Sequence, residues 1–532
     1  MERCNDSGTG YEPHMTCDAG AGRMCNSVIG ACTSACDDAA ATNSYIGCEY
    51  WPVTTINSQV EPEFLPAVVI ANPQSAQVNV TITGPAGFSQ SISISPGATQ
   101  TVELPWVSAL KGTTGMEVSA QVAGGAYRVV SNLPVTVYQF NALEYRISRD
   151  CAGEADLPDG QCFSYTNDAS LLLPTHVLTG NYMVMSRPSM LTRVSDALGS
   201  QTFGSPGFFT IVGVSPTPVT VDIQFRGRVA AGGAIRAFNA GESGSFTLNQ
   251  GDVLQIVGQL PTSCTPGYSD TIPGGGFGGS TTVDYCTVGS EYDLTGTEIR
   301  ATGPVQVIAG HNCAFVPYNR WACDHLEEAL FPLEAWGTES IISKTQAPMG
   351  RTEPNIVRIV SGRDGNAITF DPPSVATGRT LNRGEFMEFE ATQSFRVTGS
   401  EALMVGQFIV GQDYAGYSSS GEMGQGDPAM SLGIPSEQFR TSYTFLAPSS
   451  YPTNFVNVTA PSGATVTLDG TQVTGFAPLG GTGMSVAQVS IPSGQHSISS
   501  DQPFGIVVYG FGTYTSYVYP GGLDLEAINI PF

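Results

Sequence analysis

Basic charge is what this sequence has least of. Lysine occurs twice, at Lys111 and Lys344, and 21 basic residues stand against 46 acidic ones, a formal charge of −25. A phosphate-binding face needs clustered Lys and Arg. No such cluster exists, which excludes nucleic acid and anionic lipid as partners. No run of about 18 apolar residues occurs, so nothing reads as a membrane span. Ala/Leu/Glu/Lys-rich runs at helical spacing are missing, and helical bundles with them. The patterns G-x-S-x-G and H-E-x-x-H do not occur, and neither lysine follows a glycine, so no phosphate-binding loop can be written. The acidity that remains suits solubility, or calcium held in acidic turns such as GRDGN (362–366), LDG (468–470) and DLPDG (156–160). None of these turns has the alternating Asp pattern of a calcium loop, and Asp-Gly is first a turn signal.

Against these absences stand 63 glycines, 35 prolines and a hydrophobic content of 41%. That profile predicts an all-β chain of short strands and tight turns. Twelve cysteines occur, six of them in the first 48 residues: Cys4, Cys17, Cys25, Cys32, Cys36 and Cys48. The others form close pairs, Cys151/Cys162, Cys264/Cys286 and Cys313/Cys323. Even, close pairs in a turn-rich chain indicate disulfides and an extracellular or cell-surface location. The chain opens MERCNDSGTG, without an apolar signal region, so export is expected to depend on residues outside this sequence.

Residues 1–50 are polar and Cys-rich and read as a disulfide-stapled segment. Four related passages follow. Each begins with two strands around a short turn: FLPAVVIANPQSAQVNVTITG (64–84), FFTIVGVSPTPVTVDIQFRG (208–227), NIVRIVSGRDGNAITF (355–370) and NFVNVTAPSGATVTLDG (454–470). Each closes on an apolar strand: SNLPVTVYQF (131–140), TGPVQVIAGHN (302–312), GSEALMVGQF (399–408) and SDQPFGIVVYGF (500–511). These closing strands are apolar on nearly every residue and must be covered on both faces. The expectation is four tandem β-sandwich-like repeats, at 51–147, 148–325, 326–415 and 416–532, with disulfide-pinned insertions in the second. A propeller-like closed ring of sheets is the alternative.

Chemistry concentrates in GHNCAFVPYNRWACDHLEE (310–328). His311, Cys313, Cys323 and His325 carry zinc-ligand atoms, but the knuckle spacing of structural zinc is missing. A cysteine nucleophile needs a free thiolate beside an imidazole. Asp324, Glu327 and Glu328 could supply a hydrolytic acid pair, yet DHLEEAL reads more simply as one helical turn with Asp at its start. A Cys313–Cys323 disulfide is the preferred reading, with no metal and no catalytic residue assigned. The stretch YGFGTYTSYVYPGG (509–522) places Tyr509, Tyr514, Tyr517 and Tyr519 together as a candidate binding surface.

Several of these passages together resemble one family. LLLPTHVLTGNYMV (171–184), FFTIVGV (208–214), DLTGTEIRATGPVQVIAGHNCAFVP (293–317), CDHLEEALFPLEAWG (323–337) and YGFGTYTSYVYPGG are similar to the N-terminal domain family of the IgGFc-binding protein of mucus. The leader ending YIGCEYW (45–51) resembles that of bacterial, myxobacterial-type members. The resemblance implies a secreted or surface-displayed, non-enzymatic binding or adhesion protein. It carries over no residue-level antibody-binding motif. In it the cluster at 310–328 is structural, with a Cys313–Cys323 staple worth roughly 2–3 kcal/mol. The expected partner is a protein or glycan on a surface, or the chain itself. In that last case the protein is a filament or sheath subunit, with LEAINIPF (525–532) as an edge-pairing segment. A secreted hydrolase is the remaining alternative.

Overall fold

The computed structural model describes residues 2–4, 11–13, 23–26, 31–148, 160, 162–164, 166–275, 279–348, 353–416 and 425–530. Short Val/Ile-rich runs make its central strands. Ala67–Ala71, Gly207–Gly213, Asn355–Ser361 and Thr453–Pro461 are buried along almost their whole length. Each lies between two antiparallel neighbours, so both faces and both edges are covered. The strands that follow them, Val78–Thr83, Val219–Gln224 and Asn366–Asp371, alternate buried and wetter positions, as one-sided strands do. The two members of each pair do not hydrogen-bond to one another. They belong to opposite sheets of a sandwich, and the turn between them crosses from one sheet to the other.

The apolar closing strand joins the two sheets. Arg128–Asn141 pairs first with Val78–Thr83 and then, further along, with Ala67–Ala71. Gly494–Gly512 does the same in the last unit. In the middle units this crossing strand is broken in two, Glu298–Ala301 with Val305–Phe315 and Phe395–Gly399 with Leu403–Ile409. A leading strand enters each unit beside the first half of the crossing strand: Gly47–Tyr50, Asn181–Met183, Glu339–Ile342 and Arg440–Ala447. In three units its tyrosine pins the crossover. The Tyr50 hydroxyl donates to Val135 O (2.6 Å) and Tyr182 to Val305 O (2.8 Å), and Tyr443 donates to Phe504 O. Each of these hydroxyls also accepts the N–H three residues upstream, from Gly47, Thr179 and Arg440. The third unit has Ser340 at this place.

A last strand in each unit pairs with the second half of the crossing strand. These inner strands are Asp168–Leu171, Cys323–Ala329, Ala429–Leu432 and Thr515–Pro520. Each packs against the inner strand of the unit before and the unit after, so the four make a closed ring. Both readings of the repeats therefore hold at different levels: each unit has two sheets, and the units close radially. One apolar core runs from Tyr45 to Leu525 and touches all four, while the interior of the third sandwich, with Val357, Ile359, Phe395 and Val405, is a cluster of its own. Residues 43–44 and 524–525 complete the ring. Leu525 N–H donates to Asn43 O (2.9 Å), and Ser44 bridges Asp524. Further on, Ile528 N–H reaches Glu334 O (2.9 Å), so the described part of LEAINIPF is hydrogen-bonded within its own chain.

Two expectations are corrected. DHLEEAL is not a helical turn: it lies in the strand Cys323–Ala329 and the residue after it. Pairing with Val305–Phe315 and burial on both faces override a weak helical preference. The unit limits also move. The inner strand Asp168–Leu171 lies beyond 147, Cys323–Ala329 straddles 325, and Ala429–Leu432 lies beyond 415. Loops of unequal length separate each inner strand from its crossing strand, which hides its membership in the sequence.

Candidate functional site: the ring axis and its mouth

The stretch 310–328 forms the second unit's crossing and inner strands and the loop between them. Gly310 is needed there: a Cβ on it would sit 1.7 Å from Leu326 O, so any side chain would push the inner strand away. Cys313 and Cys323 are joined by a disulfide with Cα atoms 5.2 Å apart, which removes both the thiolate nucleophile and two zinc ligands. Cys264–Cys286 closes the neighbouring hairpin, and Cys36–Cys48 ties the N-terminal segment. Cys32 and Cys162 are also disulfide-bonded. The side chains of Cys4 and Cys25, and Cys17 and Cys151 entirely, lie outside the described residues.

The histidines are fixed parts of the scaffold. His311 is buried; its Nδ1 accepts the Cys313 N–H (3.2 Å) and its Nε2 faces Pro188 O (3.0 Å). Burial pushes its pKa down to about 3, so the ring is neutral and Nε2 is the donor. His325 stacks on Phe208, with centroids 5.7 Å apart. Its Nε2 lies 3.4 Å from Glu327 Oε2 and 3.5 Å from Thr55 Oγ1.

The carboxylates of the inner strands point into the ring rather than into a cleft. Asp168 accepts three backbone N–H groups from three inner strands: Ala169 (2.8 Å), Glu327 (3.1 Å) and Met430 (3.2 Å). Asp324 Oδ1 accepts Asn167 N–H (2.6 Å) and His325 N–H (2.7 Å). Glu327 accepts Thr55 Oγ1 (2.6 Å) and Gln139 Nε2 (3.0 Å), and Glu328 accepts Ser170 Oγ (2.8 Å). All four are wholly buried. Burial, reinforced by the neighbouring carboxylates, drives Asp168 and Asp324 well above the usual range; Glu328 is raised by burial and by Glu327. They fasten the ring; no opposed pair faces solvent as glycoside hydrolysis requires. Among the described residues no group of His, Cys, Asp and Glu is arranged to hold a metal ion.

Side-chain amides fasten the seams between units in the same way. After the first leading strand, residues 51–58 run buried between the first and second units. Gln139 accepts Val53 N–H (2.8 Å), Gln255 accepts Ile56 N–H (2.9 Å) and Asn312 accepts Ser58 N–H (2.9 Å). Residues 343–344 lie likewise between the third and fourth units. Gln407 donates to Ser343 O (2.9 Å) and Asn457 to Lys344 O (2.9 Å). An irregular buried segment needs such partners, because every backbone group away from water must be paired.

Tyr509, Tyr517 and Tyr519 are not a binding surface. All three are fully buried, with hydroxyls donating to Asn457 Oδ1 (2.9 Å), Asn454 Oδ1 (2.7 Å) and Leu446 O. Tyr density here reports the wall between units, where a large ring with a polar tip fits. Tyr514, half-buried in the hairpin tip, is the exception. It joins a cavity of about 400 Å³ at one end of the axis, lined by described residues that lie between crossing and inner strands. Thr166 comes from the first unit, Trp321 from the second, Gln412 and Asp427 from the third and Tyr514 from the fourth. Beside it, Tyr285, Phe315 and Trp321 form a chain of aromatic contacts at 5.4 and 5.5 Å, and Arg320 lies 4.6 Å over Tyr268. Tyr318 is 45% exposed and Trp321 51%. Sequence reasoning noted only their neighbours; the signal was an aromatic pair, YNRW, inside a ten-residue disulfide loop.

Fold and site together define a class: a ring of two-sheet β repeats, tied by disulfides, with a loop-built mouth on its axis. Within that class, residues 168–510 match the sequence profile of the IgGFc binding protein family, well over half of the chain, and the chain belongs to that family. The human IgGFc-binding protein is 31% identical over 106 residues, which cover 20% of this chain and 2% of the human protein. This chain thus aligns with a small fraction of that relative's length. Among solved structures, an anti-sigma factor domain-containing protein from Clostridium clariflavum aligns at a TM-score of 0.11 and 8% identity, over 63% of this chain and 98% of that one. A tetra-tandem repeat of a large adhesion protein aligns at 0.09 and 11% identity, over 90% of this chain and 99% of that one. At those scores neither informs the fold.

Proposed function

We propose that this chain is a secreted or surface-displayed, non-catalytic binding protein, and that it engages a protein partner with the loop end of its ring. One observation carries the reading. The loops of four units converge at one end of a rigid, disulfide-tied scaffold and present half-exposed aromatics there, with Arg320 beside them. Loops held by a rigid frame are where binding residues collect, and Tyr, Trp and Arg dominate the energetics of protein interfaces. Family membership and the disulfides support the same reading.

The test is an array of extracellular proteins and surface glycans probed with the purified chain, IgG Fc included because of the relative's name. Wild-type protein is expected to capture a protein partner, and the Tyr318→Ala/Trp321→Ala double variant to lose about tenfold or more in affinity. Turnover of a peptide or glycan substrate, or ordered fibres without any partner, would overturn it.

A further inference from the structure

We propose that the mouth cavity receives the ammonium group of a lysine side chain from the partner protein. The assignment rests on the binding reading above and specifies its chemistry. The cavity floor holds Asp427, 2% exposed, and Gln412, 8% exposed. Gln412 Oε1, an acceptor only, has no hydrogen-bond partner. Buried acceptors left in this condition cost free energy unless a donor arrives. That acceptor calls for a donor, and an ammonium group supplies three with no acceptor of its own.

The walls fit the same guest. Trp321 and Tyr514 line the cavity, and aromatic rings attract a cation. Tyr514 stands at the tip of the two-residue turn between Gly512 and Thr515, which sets its φ of +59°. A guanidinium fits less well. It seeks both oxygens of a carboxylate at once, and Asp427 Oδ1 already accepts the Gln412 N–H at 3.3 Å. One oxygen remains, which suits a point charge. The residues are not grouped as a metal shell. A formal charge of −25 draws basic partners toward the protein.

Burial raises the Asp427 pKa, and like-charged Asp413 raises it further. Asp427 in turn acts on Asp324, behind which Asp168 lies, and on Glu353. A cation entering the pocket displaces the Asp427 proton, so affinity for the ammonium rises with pH while the lysine stays charged.

The experiment uses the full chain and the peptide Ac-Gly-Lys-Gly-NH2, with acetyl-lysine and norleucine versions, titrated by NMR or calorimetry. The lysine peptide is expected to bind and to release a proton, with the two neutral versions at least about tenfold weaker. Asp427→Asn should remove most of that binding. Trp321→Ala, at an exposed position that leaves folding intact, should weaken it about threefold. Equal binding of the neutral peptides, or lysine binding unchanged in both variants, overturns the assignment. A partner found on the array that binds wild type and Asp427→Asn alike overturns the pocket and leaves the general binding reading standing. No partner and no peptide binding removes both.

Discussion

Carboxyl groups sit in two opposite environments in this molecule, beside arginines at a seam and buried among backbone donors on the axis. At the seam between the second and third units, Asp293 and Glu388 face Arg358, whose Nη1 lies 2.8 Å from Asp293 and whose Nη2 lies 2.8 Å from Glu388; Arg187 adds a second contact to Glu388 at 3.1 Å. Burial opposes ionisation of Glu388, but Arg187 and Arg358 outweigh it and hold its pKa at about 2. Its side chain keeps 31% of its surface exposed, which limits what that pairing contributes. On the axis no guanidinium or ammonium is placed against Asp168, Asp324 or Glu328 among the interactions that hold them, and burial drives all three upward. The difference teaches that backbone N–H donors satisfy a buried carboxyl's geometry without keeping it charged, whereas arginine does both. One design makes a charged seam, the other a neutral hub.

The largest effect expected from that contrast is collective and depends on pH. Asp168, Asp324 and Glu328 are raised, and Glu353 is raised to about 8. For a raised group the folded-state stabilisation is complete below the unfolded pKa and disappears as pH rises through the folded one. Denaturant midpoints should therefore fall steadily from about pH 4.5 to about pH 8, and Glu353→Gln should make that fall shallower throughout. Glu388 works in the other direction, its contribution lost only as pH falls toward about 2. A midpoint that climbs between pH 5 and 8 would contradict the neutral hub.

Next in size is the seam. Arg358 is 3% exposed, so Arg358→Ala leaves Asp293 buried without a counter-charge and should cost about 3–5 kcal/mol by chemical denaturation. The same variant should steepen the pH slope, because it makes the seam resemble the hub. Removing the Cys313–Cys323 bridge as a double serine variant opens a loop of separation 10 and should cost about 2–3 kcal/mol. Hydrogen exchange should localise that loss to the mouth, leaving the seam protected. The smallest effect is that of the crossover tyrosines. Tyr182→Phe leaves the Thr179 N–H and Val305 O without their shared partner and should cost about 1–2 kcal/mol. Ser340→Tyr in the third unit should give no matching gain, since Ser340 is 1% exposed and a ring there would have to displace its neighbours.

Legibility in the sequence followed the number of faces a strand buries. Passages such as AVVIA and FGIVVYGF announce themselves, because burial on both sides leaves no polar position. The repeats and their order came from the same pattern, and the bridges Cys264–Cys286 and Cys313–Cys323 from cysteine spacing. The inner strands did not. Asp168–Leu171 carries Asp and Ser, and Cys323–Ala329 carries Asp324, His325, Glu327 and Glu328 among its seven residues, so neither looks like a core strand. Their polar atoms are satisfied by strands from other units, as when Asp168 takes the Met430 N–H across the ring. No local window contains both partners. The tyrosines of 509–522 misled for a related reason: a hydroxyl that finds Asn457 or Asn454 in another strand can be buried at no great cost, and sequence alone does not show that acceptor.

By itself the sequence determined an all-β, disulfide-tied chain of four repeats, because strand period, turn residues and cysteine spacing are local properties. Tertiary structure alone decided that the repeats close into a ring, which carboxyls stay neutral, and that a mouth forms where four loops meet. Those outcomes depend on groups brought together from more than a hundred residues apart, where desolvation and pairing are set by neighbours that no stretch of chain can name in advance.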